Sequence, residues 1–289
     1  MHTSSTVSGI IERDGFGLRY HIEGKGLPTV VIGSAIYYPR TFSEKIRQHL
    51  RLACFDHRCF AIPPKNNSQY SQKIALDALL DDIEAMRKLL DLGQIVIMAH
   101  SGNGYIALEY AKRYQENVSH VVMIGTSPDL SAKNQEICDR YWERLACAGR
   151  KKALGDSLSK LTPEYLAKLS TGRQFIQQYI HSGPKVWFDY AYDATPLWHE
   201  VDLNMPLFHH FWGTVFRDID IQKGMGSFKK PIFLALGRYD FLVDPSSWDA
   251  ILKKYPSFTS HIFERSGHTS QIEEHHLFDE RLLHWLSLY

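Results

Sequence analysis

Short apolar runs of strand length alternate with helical stretches along most of this 289-residue chain, and that alternation restricts the fold more than any other feature. Thr29–Ile32 ends in Gly33, Leu50–Phe55 ends at Asp56, and Ile95–Ala99, Val121–Ile124 and Pro231–Leu236 follow the same form. Thr259–Phe263 adds a further strand near the end. Between these runs lie helical segments. One extends from a capping Ser71 to about Asp91, with Ile74, Leu79, Ile83, Met86 and Leu90 on one face and Gly93 beyond its end. Others cover Gly102–Tyr114, Ser246–Tyr255 and a closing Thr269–Leu286. Buried strands joined by helical crossovers predict an α/β fold, a mostly parallel, doubly wound sheet of about eight strands covered on both faces. Val7–Arg13 and Leu18–Ile22 around Asp14-Gly15 predict a hairpin at the start.

The rhythm stops in the middle. Residues 127–227 lack strand-like runs and carry helix breaks at Pro163, Gly183-Pro184, Pro196 and Pro206. The expected organisation is a sheet domain of residues 1–126 and 228–289, interrupted by a helical insertion at 127–227. From Phe175 to Phe216 there are 11 aromatics in 42 residues. Most are expected to pack the insertion's own core, with at least two lining an apolar pocket.

Composition excludes several classes. Lys plus Arg (33) balances Asp plus Glu (32), so no global field recruits nucleic acid or an acidic membrane surface. No apolar stretch approaches the roughly 20 residues of a membrane span. The polar start, Met1–Ile10, has no apolar core of the signal-peptide kind, which points to a cytoplasmic protein. Cys54, Cys59, Cys138 and Cys147 form no C-x-x-C pair and are expected as reduced thiols, with Cys59 a packed structural one. The adjacent pairs His209-His210 and His275-His276 diverge on a helix and do not suit a shared metal. No metal or organic cofactor is expected.

The chemistry gathers at three strand ends. Ile95–Ala99 runs into His100-Ser101-Gly102-Asn103-Gly104 and then a helix, which places Ser101 at a sharp strand-to-helix corner. Such a corner strains the serine backbone and aims its hydroxyl, the Gly102 N–H and the first helical turn at one spot, a setting for an oxyanion. Read alone, the segment favours such a corner over an ordinary N-cap serine at a Gly-rich helix start. A serine nucleophile needs a base, and the base needs an orienting acid. Gly237-Arg238-Tyr239-Asp240 follows one strand, with Asp244 a rival four residues on. Ser266-Gly267-His268 follows another. These are loops where a doubly wound sheet keeps its reactive groups.

Nearly the whole sequence resembles the α/β-hydrolase superfamily, most closely its proline-iminopeptidase-like and small-esterase branch. Ala-His-Ser-Gly-Asn-Gly is similar to that family's nucleophile turn, Gly-Arg-Tyr-Asp to its acid turn and Ser-Gly-His-Thr to its histidine loop. Asp56-His57-Arg58 is similar to the D-x-R after its fourth strand, and the insertion resembles its cap. The resemblance implies Ser101 as nucleophile, His268 as general base and acid, Asp240 as orienting carboxylate, and Gly102 with Ser34 or Ala35 as oxyanion donors, Ser34 favoured. Three departures stand out. Asn103 occupies a usual glycine, Ile32-Gly33-Ser34-Ala35 replaces a His-Gly motif, and Cys59–Pro64 replaces a glycine-rich turn.

Serine rather than aspartate at the corner argues against haloalkane or epoxide chemistry. The expected function is cleavage of a small, moderately apolar ester or lactone through an acyl-enzyme, with a small-molecule substrate and no nucleic-acid or membrane partner. One alternative is a proline-iminopeptidase-like aminopeptidase, which needs carboxylates such as Glu136, Asp139, Glu143, Asp189 or Asp193 to hold a substrate ammonium. The other is a ligand-binding protein without turnover. Oligomeric state is not legible.

Overall fold

The computed structural model describes residues 6–64 and 74–289. Eight strands form one sheet: β1 (Val7–Arg13), β2 (Phe16–Gly24), β3 (Leu27–Gly33), β4 (Leu50–Asp56), β5 (Ile95–His100), β6 (Val118–Ile124), β7 (Ile232–Gly237) and β8 (Phe258–Phe263). Their spatial order is β1-β2-β4-β3-β5-β6-β7-β8. The β1–β2 and β2–β4 pairs are antiparallel; every other neighbouring pair is parallel. The hairpin turns at Asp14 and Gly15, both at positive φ (49° and 81°).

β5 is buried at every position, as a central parallel strand must be when both faces are covered. The helix Asn103–Arg113 packs on the sheet through Tyr105, Ile106, Leu108 and Tyr110. Strand order reverses between β3 and β5, so their carboxyl ends flank a crevice, the usual place for a ligand in such sheets. Between β6 and β7 the chain is helical, with helices Ala132–Leu145, Ala148–Leu158 and Thr171–His181 the longest.

Three helices differ from expectation by more than a residue. The helix foreseen from Ser71 begins at Leu76, with Ala75 extended as its N-cap, and Ser71 lies outside the described residues. The closing helix is two pieces, Ser270–Glu273 and His275–Leu286, because Glu274 leaves helical geometry at φ −122°, ψ 47°. The Glu274 side chain accepts from the Arg265 N–H (2.8 Å) and the Ser266 hydroxyl (2.7 Å), ties that give a physical reason for the break. Ser246–Tyr255 opens with a tighter turn, Pro245–Trp248, capped by Asp244.

Two glycine and carboxylate positions carry measurable consequences. Gly237 ends β7 against the backbone carbonyls of Ser266 and Gly267, into which a Cβ would collide. Gly237→Ala is therefore expected to cost about 1–3 kcal/mol, visible as a lower Tm, since backbone cannot yield as a side-chain tip can. Glu84 receives Arg87 through two hydrogen bonds (both 2.8 Å) and the Tyr110 hydroxyl (2.7 Å). Burial works to raise its pKa, but these bonds and Lys88 hold the carboxyl down to about 2. A depressed carboxylate stabilises the fold above its unfolded pKa and loses that contribution as pH falls through 4.5 toward 2. Glu84→Gln is expected to lower stability by about 2 kcal/mol at pH 7, with screening allowed for, and by much less near pH 2.5, as chemical denaturation at the two pH values would report.

Candidate active site

β5 leads directly into the corner at Ser101, which has φ +59°, the left-handed region that costs a non-glycine residue energy. The corner is pinned from several sides. The Ser101 N–H donates to the Ile124 carbonyl at the end of β6 (2.8 Å). Its carbonyl accepts from the Gly104 N–H (2.9 Å) and the Thr126 hydroxyl (3.0 Å). A Cβ on Gly104 would run into Thr126, so glycine lets the helix approach β6 this closely. The neighbouring strands thus hold the strained serine in place.

Asp240 is fully buried in the loop after β7. Its Oδ1 accepts from the N–H groups of Leu242 (2.9 Å) and Val243 (3.2 Å), and its Oδ2 lies 2.7 Å from Nδ1 of His268. A carboxylate only accepts, so Nδ1 carries the proton and Nε2 presents its lone pair. The structure therefore brings together Asp240 and His268, while the rival Asp244 spends its carboxylate on Ser246 (2.9 and 2.8 Å). Nε2 of His268 is buried with no hydrogen-bond partner among the described residues, so its contact with the Ser101 hydroxyl is open in this structure. The two residues are nonetheless neighbours in the fold. The His268 ring packs 4.6 Å from that of His100, the residue before Ser101.

The turn after β3 supplies the opposite wall. The Ala35 N–H donates to Asp56 Oδ1 (2.7 Å), leaving it committed, whereas no acceptor among the described residues takes the N–H of Ser34 or Gly102. Asp56 also receives Arg19, and burial pushes its carboxyl up to about 6. Two residues on, Arg58 grips Asp82 through Nε (2.6 Å) and a terminal nitrogen (3.0 Å) and also reaches Asp14 (2.6 Å). The Asp56-His57-Arg58 segment therefore fixes the turn after β3 and fastens the hairpin to the helix Leu76–Leu89. Cys59 is buried and its thiol is pushed up by that burial, which fits a structural cysteine.

Glu273 was not singled out from the sequence. Its carboxylate accepts from Phe188 (2.6 Å), Gly267 (2.8 Å) and Thr269 (3.3 Å) N–H groups, bracketing His268. Burial raises its pKa to about 7 despite those donors. The Val186 carbonyl accepts from the His268 N–H (2.6 Å) and the Lys185 carbonyl from the Phe241 N–H (3.0 Å). Buried Arg150 donates to the carbonyls of Pro184 (2.8 Å), Trp187 (2.6 Å) and Phe188 (2.6 Å). The helical segment is thereby stitched to the loops of both Asp240 and His268. Nothing local in the sequence marks these roles, because partners sit 85 residues apart in the case of Glu273 and Phe188.

A cavity of about 280 Å³ opens above Ser101. Ser34, Ser101 and Asn103 form its polar side; Phe175, Tyr179, Trp198, Phe208 and Trp212 reach in from the helical segment. No Asp, Glu, Lys or Arg lines it among the described residues. Glu136, Asp139, Glu143, Asp189 and Asp193 are all exposed and lie outside its lining. Among the described residues, no group of three or more His, Cys, Asp or Glu side chains is placed to hold a metal ion, and no helix is long and apolar enough to cross a membrane.

Comparison with known proteins agrees with this architecture. A family described as alpha/beta hydrolase fold matches residues 25–275. An AB hydrolase superfamily protein of Bacillus subtilis, YclE, is 39% identical over 280 residues, covering 96% of this chain and 98% of that protein. A proline iminopeptidase of Saccharolobus solfataricus is 25% identical over 223 residues, 73% of this chain and 67% of the relative. Among solved structures, an alpha/beta fold family hydrolase from Bacillus anthracis superposes with a TM-score of 0.67 at 18% identity, over 95% of this chain and 97% of the other.

Proposed function

This chain belongs to the alpha/beta hydrolase fold family, and on that premise we propose that it is a serine hydrolase cleaving small, neutral, moderately apolar esters or lactones. One observation carries the substrate class: the cavity above Ser101 is walled by aromatic side chains and, among the described residues, by no Asp, Glu, Lys or Arg. A substrate ammonium would find no counter-ion among the described lining residues, which argues against an aminopeptidase despite the proline iminopeptidase relative.

In this reading residues 127–227 act as a cap over the site. His268 Nε2 takes the Ser101 proton as Oγ attacks the carbonyl carbon, and the carbonyl π electrons move onto oxygen. The Gly102 and Ser34 N–H groups receive that oxyanion. Ser34 rather than Ala35 is the second donor, because the Ala35 N–H is spent on Asp56. Each such donor contributes about 3–4 kcal/mol in a comparable setting. Collapse expels the alkoxide, which leaves with the His268 proton; the same imidazole then draws a proton from water to hydrolyse the acyl-enzyme. Asp240 holds the imidazole in the required tautomer.

The open contact between Ser101 and Nε2 of His268 favours a second reading, ligand binding without turnover. A panel of short p-nitrophenyl esters beside a proline naphthylamide separates the alternatives. Ester turnover with kcat/KM far above the amide is expected. Preferential amide cleavage would replace the substrate assignment, and binding without turnover of either would support the second reading.

A further inference from the structure

Asn103 is buried at the first turn of the helix after Ser101 and sits in a polar chain whose direction is fixed from both ends. At one end, the Cys59 N–H donates to His57 Nδ1 (3.3 Å), so the neutral ring carries its proton on Nε2 and donates to Asn103 Oδ1 (2.9 Å). The Asn103 amide nitrogen therefore faces the Tyr38 hydroxyl and donates to it (3.0 Å). That hydroxyl gives its own proton to His100 Nδ1 (3.5 Å), and His100 Nε2–H donates to the His268 carbonyl (2.9 Å). A carbonyl only accepts, so the far end demands the same direction as the near one. Burial keeps both imidazoles neutral, lowering His57 to about 4 and His100 to about 3, so the chain holds its sense across the working pH range.

The chain also supports the turn after β3. Gly33 has φ +146°, and a Cβ there would meet the Tyr38 ring and the Asn103 amide nitrogen. Those two side chains fill the space beside the peptide that leads into Ser34. The middle of the network, Asn103 and Tyr38, thus lies beside the turn bearing the Ser34 N–H, and one end grips the backbone of His268.

We propose that Asn103 and Tyr38 are positioning residues that set the Ser34 turn and the His268 backbone relative to Ser101. The inference rests on the hydrolase reading of this site. Side chains that only satisfied one another's hydrogen bonds would affect stability; positioning residues must also alter the chemical step.

The test compares Asn103→Ala, Asn103→Asp, Tyr38→Phe and the Asn103→Ala/Tyr38→Phe double variant in p-nitrophenyl ester hydrolysis and in the rate of phosphonylation by an alkyl fluorophosphonate. Asn103→Ala is expected to lower kcat and labelling rate by about 10–100-fold with KM within about threefold, as small misplacements of reacting groups do. Tyr38→Phe, which keeps the ring against Gly33, is expected to lose about tenfold. The double variant should be no slower than Asn103→Ala, because one chain broken twice is still one broken chain. Asn103→Asp accepts from His57 but cannot donate to Tyr38, and should track Asn103→Ala. Unchanged kcat in folded variants, losses confined to KM, or independently multiplying losses would overturn the proposal. Imidazole 15N NMR supplies a readout free of turnover: His57 and His100 are expected as neutral Nε2–H tautomers, and Nδ1–H on His100 would overturn it as well. A wild-type protein that resists the fluorophosphonate would instead remove the hydrolase reading beneath it.

Discussion

Ser101→Ala is expected to abolish ester hydrolysis, with a fall in kcat on the order of 10⁵–10⁶-fold, while the fold persists. The Ser101 hydroxyl makes no hydrogen bond among the described residues, so its removal orphans no donor or acceptor in the fold. Alanine inherits the same φ of +59° and the same backbone bonds, so Tm should stay within a degree or two. Ser101→Gly offers a complementary check. It removes the same nucleophile but relieves the left-handed strain, and should raise stability by about 1 kcal/mol, less the entropy glycine adds to the unfolded chain. An inactive variant more stable than the parent would show that the corner stores energy for function.

Asp240→Asn is the second large effect, about 10⁴-fold in kcat at neutral pH with KM little changed. The asparagine oxygen can keep accepting from Leu242 and Val243, which retains the loop. Its amide nitrogen then faces His268 Nδ1 and donates to it, so the imidazole proton is driven to Nε2. That tautomer presents no lone pair to Ser101, and the base is lost while the geometry survives. Steady-state kinetics together with 15N imidazole spectra would check both halves of the statement. A variant with near-parental kcat would mean that the carboxylate does not set the tautomer.

Both predictions use residues that could be read from the chain before its structure. The reason is local: a buried apolar run followed by a small-residue corner encodes β5 and the turn at Ser101 within about ten positions. The strands at Thr29–Ile32, Leu50–Phe55 and Pro231–Leu236 were legible likewise; the structure lengthens the first to Leu27–Gly33 and the second to Leu50–Asp56, and shifts the third by one residue to Ile232–Gly237. The aromatic-rich stretch gave a sound guide to the cavity wall, five of its residues lining it. What escaped was long-range. The break at Glu274 arises from ties to Arg265 and Ser266, which override the local preference for one continuous helix. The clamp of Glu273 on both flanks of His268, and the grip of Arg150 on three carbonyls, have no periodicity or motif. Asn103 was visible as a departure from glycine, yet its purpose became readable only with His57, Tyr38 and His100 around it. The commitment of the Ala35 N–H likewise depends on a carboxylate 21 residues away, Asp56.

The helical segment between β6 and β7 ties these features together. Lys185–Phe188 is bonded to the loops of Asp240 and His268, so the segment that supplies the pocket's aromatic wall also braces those two residues. Substrate shape and catalytic alignment would then be set by the same stretch of chain.

The central claim, a nucleophilic Ser101 served by His268 and Asp240, is tested most directly by intact-mass measurement after exposure to an alkyl fluorophosphonate. The account predicts one covalent adduct on the wild-type protein, mapped to Ser101, none on Ser101→Ala and greatly slowed labelling of Asp240→Asn. A folded wild-type protein that stays unmodified, or a Ser101→Ala protein that is labelled as fast as its parent, would contradict it.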